Sequence, residues 1–98
     1  MSKRVFIVHG WSGSPYKDWI PWLKSELQTR GFEAYAPEMP DPDEPDIAEW
    51  VHMLKMSVGK PDRNTFFVGH SIGCQTILRF LETLGEGEET GGAVLVAP

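Results

Sequence analysis

Residues 64–74 run from an aromatic and β-branched stretch, Thr65-Phe66-Phe67-Val68, straight into Gly69-His70-Ser71-Ile72-Gly73-Cys74. Beyond them, Ile72, Ile77, Leu78, Leu81 and Leu84 are spaced to fall mostly on one helical face. A strand that becomes a helix within so few residues leaves the chain little freedom. The serine at the turn must take a strained backbone conformation, and the residues two before and two after it must be small. Gly69 and Gly73 meet that demand. A serine held this way stands clear of the sheet at a helix N-terminus, whose unpaired N–H groups favour a developing oxyanion. The plainer alternative is a serine that only caps the helix. Both glycines and the strand-to-helix placement favour a nucleophile.

The rest of the chain supplies matching elements. Residues 3–8 read as a short buried strand, followed by the small-residue loop His9-Gly10-Trp11-Ser12-Gly13-Ser14-Pro15. Asp18 is the expected N-cap of a first helix, with Pro21 in its first turn and Trp19, Trp22, Leu23 and Leu27 as its apolar stripe. Gly31 stops that helix, and residues 32–36 form a second strand. Residues 37–46 hold four prolines and five acids in ten positions, a composition that permits only a loop. Asp43 is the expected cap of the next helix, with Pro45 in its first turn and Ile47, Trp50, Val51 and Leu54 as its buried face. After the serine turn and its helix comes an acidic glycine-rich loop, and residues 93–97 form a fourth strand.

This β-α-β-α-β-α-β order predicts an α/β fold, a three-layer sandwich with a mostly parallel four-stranded sheet and right-handed crossovers. At 98 residues and 41% hydrophobic content the chain makes one domain. A net charge of −5 argues against nucleic acid or an anionic membrane surface as a partner. No apolar run approaches transmembrane length, and the N-terminal one is too short for a signal peptide. A single cysteine fits a reducing compartment, so a cytoplasmic location is expected. No His, Cys or Asp grouping has metal-ligand spacing, and Gly10 with Gly13 lacks the lysine of a phosphate-binding loop, so neither metal nor cofactor is expected.

The residues together resemble the α/β-hydrolase superfamily. Val5-Phe6-Ile7-Val8-His9-Gly10-Trp11 resembles its strand and oxyanion loop, and Gly69-His70-Ser71-Ile72-Gly73 its nucleophile elbow. More narrowly, the chain is similar to small serine hydrolases of the retinoblastoma-binding protein 9 and YdeN type. Trp19-Ile20-Pro21-Trp22-Leu23, Pro37-Glu38-Met39-Pro40-Asp41-Pro42 and Leu95-Val96-Ala97-Pro98 carry that likeness. The resemblance implies a sheet in which the second, first, third and fourth strands are neighbours in that order. It implies Ser71 as catalytic nucleophile, with an oxyanion hole from the backbone N–H groups of Ile72 and Trp11. Gly10, Trp11 and His70 would border the substrate, a small ester, thioester or amide.

Such enzymes also need a base and an orienting acid, in the chain order Ser, Asp/Glu, His. No histidine follows Ser71, and the downstream acids are Glu82, Glu86, Glu88 and Glu89, on or just after the elbow helix. The resemblance therefore covers the first half of such a protein, and the complete protein is expected to continue past Pro98 with strands that carry an Asp and a His. His9 is expected to fix loop shape rather than act as a surrogate base, His70 to point away from the base position, and His52 to face solvent. Cys74 is expected to be a small core residue. Trp11 is expected to border the site, whereas Trp19 and Trp22 divide between site and core. Two further readings are a non-catalytic binding module and half of a split enzyme, the latter pairing or self-associating through an exposed edge strand at 93–97.

Overall fold

The computed structural model describes residues 2–98. Its elements are β1 (Arg4–Val8), α1 (Ile20–Thr29), β2 (Glu33–Tyr35), α2 (Ile47–Val58), β3 (Thr65–His70), α3 (Ile72–Glu82) and β4 (Gly92–Val96). The four strands form one sheet in the order β2-β1-β3-β4. Every pairing is parallel, with Val5 beside Ala34, Val8 beside Gly69, and His70 beside Val96. The sheet is an α/β sheet of the order expected, and wholly rather than mostly parallel.

Parallel strands joined by helices are covered on both faces, which is why β1 reads as an unbroken apolar run rather than an alternating one. Phe6 and Val8 face α2 and α3, joining Trp50, Leu54, Phe67, Ile77 and Phe80 in the larger core cluster. Val5 and Ile7 face the other way and pack with Ile20, Trp19, Leu23 and Leu27 of the α1 side. At the amino ends of the strands the Arg4 guanidinium donates to the Val58 and Lys60 carbonyls, tying β1 to the end of α2. On the α1 face, Phe66 and Val68 of β3 are only partly covered and β4 is largely exposed. An apolar groove of about 400 Å3 runs there between Leu27, Phe66, Val68 and Val94.

Several local expectations need correction. Trp22 is 65% exposed, because the row that meets the sheet is Ile20, Leu23 and Leu27, and Trp22 lies about 100° around the helix from Leu23. In α3 the buried row is Gly73, Thr76, Ile77 and Phe80, with Cys74 beside it. Leu78 points outward, one position past Ile77, at 39% exposure. Asp18 does not cap α1: it adopts φ 57, and the N-cap position falls on Trp19 with no side-chain cap bond. The cap of α2 is Asp46, whose carboxylate accepts from the Ala48 and Glu49 N–H groups at 2.9 and 3.3 Å. Asp43 is held instead toward the loop after β1, where its carbonyl accepts from the Trp11 indole, so Pro45 precedes the helix rather than opening it. The edge strand runs over Gly92–Val96, one residue earlier than expected.

Candidate active site

The carboxyl ends of β1 and β3 are adjacent because Val8 pairs with Gly69. The chain leaves β1 as His9-Gly10-Trp11 and leaves β3 as His70-Ser71-Ile72, so the two turns face each other. Ser71 sits at φ 56 and ψ −125, a region L-residues avoid, at a cost on the order of 1–3 kcal/mol. Its own N–H donates to the Val96 carbonyl at 3.0 Å and its carbonyl accepts from Cys74 N–H at 2.9 Å, so pairing on both sides holds the turn. Ser71 occupies the N-cap position of α3 but makes no side-chain cap hydrogen bond. Its hydroxyl is therefore not used in capping, and its backbone lacks the extended geometry a capping serine adopts.

The glycines record how closely the parts approach. A Cβ on Gly73 would lie 2.3 Å from the Val8 carbonyl oxygen and 2.7 Å from that of His9. Thus the first turn of α3 is pressed against the end of β1. A Cβ on Gly69 would meet Cys74 N at 3.0 Å and Ile77 Cδ1 at 2.8 Å. Gly10 faces the serine directly, since a Cβ there would lie 3.0 Å from Ser71 Cβ. Ile72 opens α3 and has no intrahelical acceptor for its N–H, as for every first helical residue. The Trp11 N–H has no backbone acceptor among the described residues. Both donors belong to turns that converge on Ser71.

The side chains around this junction divide by partner. The Trp11 ring is 66% exposed and donates its Nε1–H to the Asp43 carbonyl at 2.9 Å. His70 is half-buried and packs edge-on against Trp19 at 5.5 Å between ring centroids, with Nδ1 3.4 Å from the position of a Gly10 Cβ. It borders the Gly10 side of the site, and Trp19 shares in the α1-side core. His9 is 1% exposed, with Nδ1 2.9 Å from the Gly10 carbonyl and Nε2 accepting from Met39 N–H at 3.1 Å. Burial pushes its pKa below the ordinary histidine value, against weaker upward pulls from the Gly10 carbonyl and Glu38. Both ring nitrogens are committed, so His9 is not free to take a proton from Ser71.

Cys74 is buried, and burial raises its thiol pKa while the thiol donates weakly to the Val96 carbonyl at 3.5 Å. It is a core residue, not a thiolate. His52 lies exposed on α2. The apolar groove beside β4 is lined by Lys3, Phe32 and Gly92 at its far end, near the amino ends of the strands and opposite Ser71.

Sequence reasoning missed how residues 37–46 take part. The signal was Met39, one apolar side chain among prolines and acids, which is 2% exposed and belongs to the main core. A loop that inserts such a residue is docked rather than loose.

No helix among the described residues is long and apolar enough to cross a membrane. The description "Serine hydrolase" belongs to the family model that matches residues 5–98. YdeN of Bacillus subtilis (strain 168) is 40% identical over 97 residues, spanning 99% of this chain and 51% of that protein. The serine hydrolase RBBP9 of Rattus norvegicus is 32% identical over 77 residues, 78% of this chain and 37% of its own length. The crystal structure of the B. subtilis ydeN gene product superposes with a TM-score of 0.90 at 39% identity, covering 96% of this chain and 50% of that one. The chain therefore spans about half the length, or less, of the relatives it matches. With the matched family model covering nearly all of its residues, the chain belongs to the serine hydrolase family.

Proposed function

We propose that Ser71 is the nucleophile of a serine hydrolase that cleaves small esters, thioesters or amides through an acyl-enzyme. The observation that carries this reading is the strained Ser71 turn at the head of α3, its hydroxyl unused in capping and Gly10 directly opposite. Ser71 Oγ would bond to the substrate carbonyl carbon as the carbonyl π pair moves onto oxygen. The N–H groups of Ile72 and Trp11 would donate to that oxyanion. The serine proton passes through a base to the leaving alcohol, thiol or amine as its bond to carbon breaks. Water then attacks the acyl carbon and regenerates Ser71. No step in this scheme calls for a metal or cofactor, and the net charge of −5 suits neither nucleic acid nor an anionic membrane as partner.

The base and its acid are the unassigned parts. No histidine lies between residues 72 and 98, and His9 is committed to Gly10 and Met39. In this reading they come from polypeptide that pairs along the outer edge of β4, where Val94, Leu95 and Val96 are 59%, 36% and 37% exposed. That polypeptide is either the remainder of a longer protein, a separate chain, or a second copy associating through the same edge. The half-length match to YdeN and RBBP9 supports the first of these.

The test is fluorophosphonate labelling of the folded chain, read by intact mass, with imidazole added as an external base. The expected result is one adduct whose yield rises with imidazole and which disappears in Ser71→Ala. No adduct at any imidazole concentration, or equal labelling of Ser71→Ala, removes the nucleophile assignment.

A further inference from the structure

The proposed oxyanion donor Trp11 belongs to a loop that no strand or helix contains, so something else must fix its direction. Three hydrogen bonds tie that loop to the proline-rich acidic segment. His9 Nε2 accepts from Met39 N–H at 3.1 Å, Ser12 N–H donates to the Pro42 carbonyl at 2.8 Å, and Trp11 Nε1–H donates to the Asp43 carbonyl at 2.9 Å. A fourth, from Trp50 Nε1–H to the Pro40 carbonyl at 2.7 Å, fastens the acidic segment to α2. Two of the three cross-loop bonds accept on backbone carbonyls, one from the Ser12 N–H and one from the exposed Trp11 indole. Only the His9 bond depends on a side chain that faces inward.

Its geometry admits a single protonation state. The Gly10 carbonyl can only accept, so Nδ1 carries the proton. Met39 N–H can only donate, so Nε2 is bare. The ring is 1% exposed and stands edge-on to Trp50 at 5.2 Å, which leaves it no other partner to turn to. One imidazole thus grips the first residue of the oxyanion loop with one nitrogen and the buried Met39 anchor with the other.

We infer that His9 is a positioning residue: through Met39 it splints the Gly10-Trp11-Ser12 turn onto residues 38–43 and so aims the Trp11 N–H at the oxyanion. This rests on the proposed role of Trp11, and the segment 38–43 becomes part of the catalytic apparatus rather than a solvated connection. Preorganised donors act without reorganising when charge develops, so a loosened Trp11 would slow attack by Ser71 more than it would unfold the chain.

Two substitutions separate the nitrogens. His9→Asn retains a donor near Nδ1 and loses the acceptor at Nε2, whereas His9→Gln places an amide oxygen where Nε2 stood. Amide hydrogen exchange gives the first readout. In His9→Asn, Met39 and Ser12 amides are expected to exchange about tenfold faster or more relative to Leu54 and Ile77, and in His9→Gln to stay within about threefold of the parent. The second readout is the rate of fluorophosphonate labelling at fixed imidazole, expected to fall in His9→Asn and recover in His9→Gln. Ser12 remaining protected in His9→Asn overturns the splint. So does loosening of Leu54 and Ile77 in the same proportion, or failure of Gln to rescue, since a plain core residue would behave that way. If Ser71 never labels in the parent chain, the nucleophile reading falls, and the exchange pattern still decides whether His9 holds the loop. Should neither variant fold, nitrogen NMR of the parent decides: a proton on Nε2 overturns the inference, and a bare Nε2 supports it.

Discussion

Replacing Gly73 by alanine tests how tightly the serine turn is set against the central strand. The added Cβ would lie 2.3 Å from the Val8 carbonyl oxygen, 2.7 Å from that of His9 and 2.9 Å from Val8 C. Relief requires a separation near 3.2 Å, so the head of α3 and the end of β1 must part by roughly 1 Å, a scale at which tightly packed interiors respond with measurable strain. Every atom in the way is backbone, and β1 is hydrogen-bonded to strands on both sides, so no side chain can simply rotate away. Overpacking of this kind costs about 1–3 kcal/mol, and a clash with paired backbone belongs at the upper end. Alanine in a helix recovers up to about 1 kcal/mol over glycine. The expected net loss is therefore about 2 kcal/mol, or roughly 8–16 °C in Tm for a chain of this size. Urea unfolding measures it, with Gly31→Ala as a contrast: Gly31 has φ 91 and open space around it, so alanine there suffers only backbone strain of about 1–2 kcal/mol. A Gly73→Ala chain within about 0.5 kcal/mol of the parent would refute the claimed approach, since surface changes alone stay in that range.

Two other perturbations probe the same region. Ser71→Gly removes the penalty of an L-residue at φ 56 and adds the greater unfolded-state freedom of glycine, so urea unfolding should show a net gain of about 1 kcal/mol. A loss would mean that the turn is unstrained. Because burial holds the His9 pKa below its ordinary value, the unfolded chain binds a proton there before the folded one does. The contribution of His9 to stability is full above its unfolded pKa of about 6.5 and is lost as pH falls from there through the folded value. Unfolding measured from pH 7.5 to 5 should show that decline in the parent and a shallower one in His9→Gln.

The elements were legible where apolar runs or stripes stood between clear stop signals. In α2, Ile47, Trp50, Val51 and Leu54 mark one face, and Trp50 and Leu54 are fully buried. The glycines flanking Ser71 announced a close approach, although only the structure shows that Gly73 yields space to β1 and Gly69 to α3. Capping was less legible. Asp18 and Asp43 have the chemistry of a cap, but the backbone turns into α1 after Trp19 and into α2 after Asp46. Trp22 and Leu78 misled because a large apolar side chain one position off the buried row fits a loosely drawn stripe as well as a core residue does. The partnership of His9 with Met39 spans thirty residues and crosses between two loops, so no periodicity encodes it.

The strand order has a consequence for how the chain assembles as it is made. Of its two neighbours β1 meets β2 first in chain order, and until β3 is made it can pair along that one edge alone. Its other edge waits for β3, which lies roughly 60 residues later. At about 5–20 residues per second that interval is roughly 3–12 s on a ribosome, long compared with the time local helices and hairpins need to form. During it, Phe6 and Val8 face a cluster that still lacks Phe67, Ile77 and Phe80. Until β3 arrives, the nascent β1–β2 pair has one raw edge and half a core, the kind of exposed surface that makes partly folded chains prone to aggregate. The Ser71 turn, braced by β1 on one side and β4 on the other, acquires its shape only once β4 has paired.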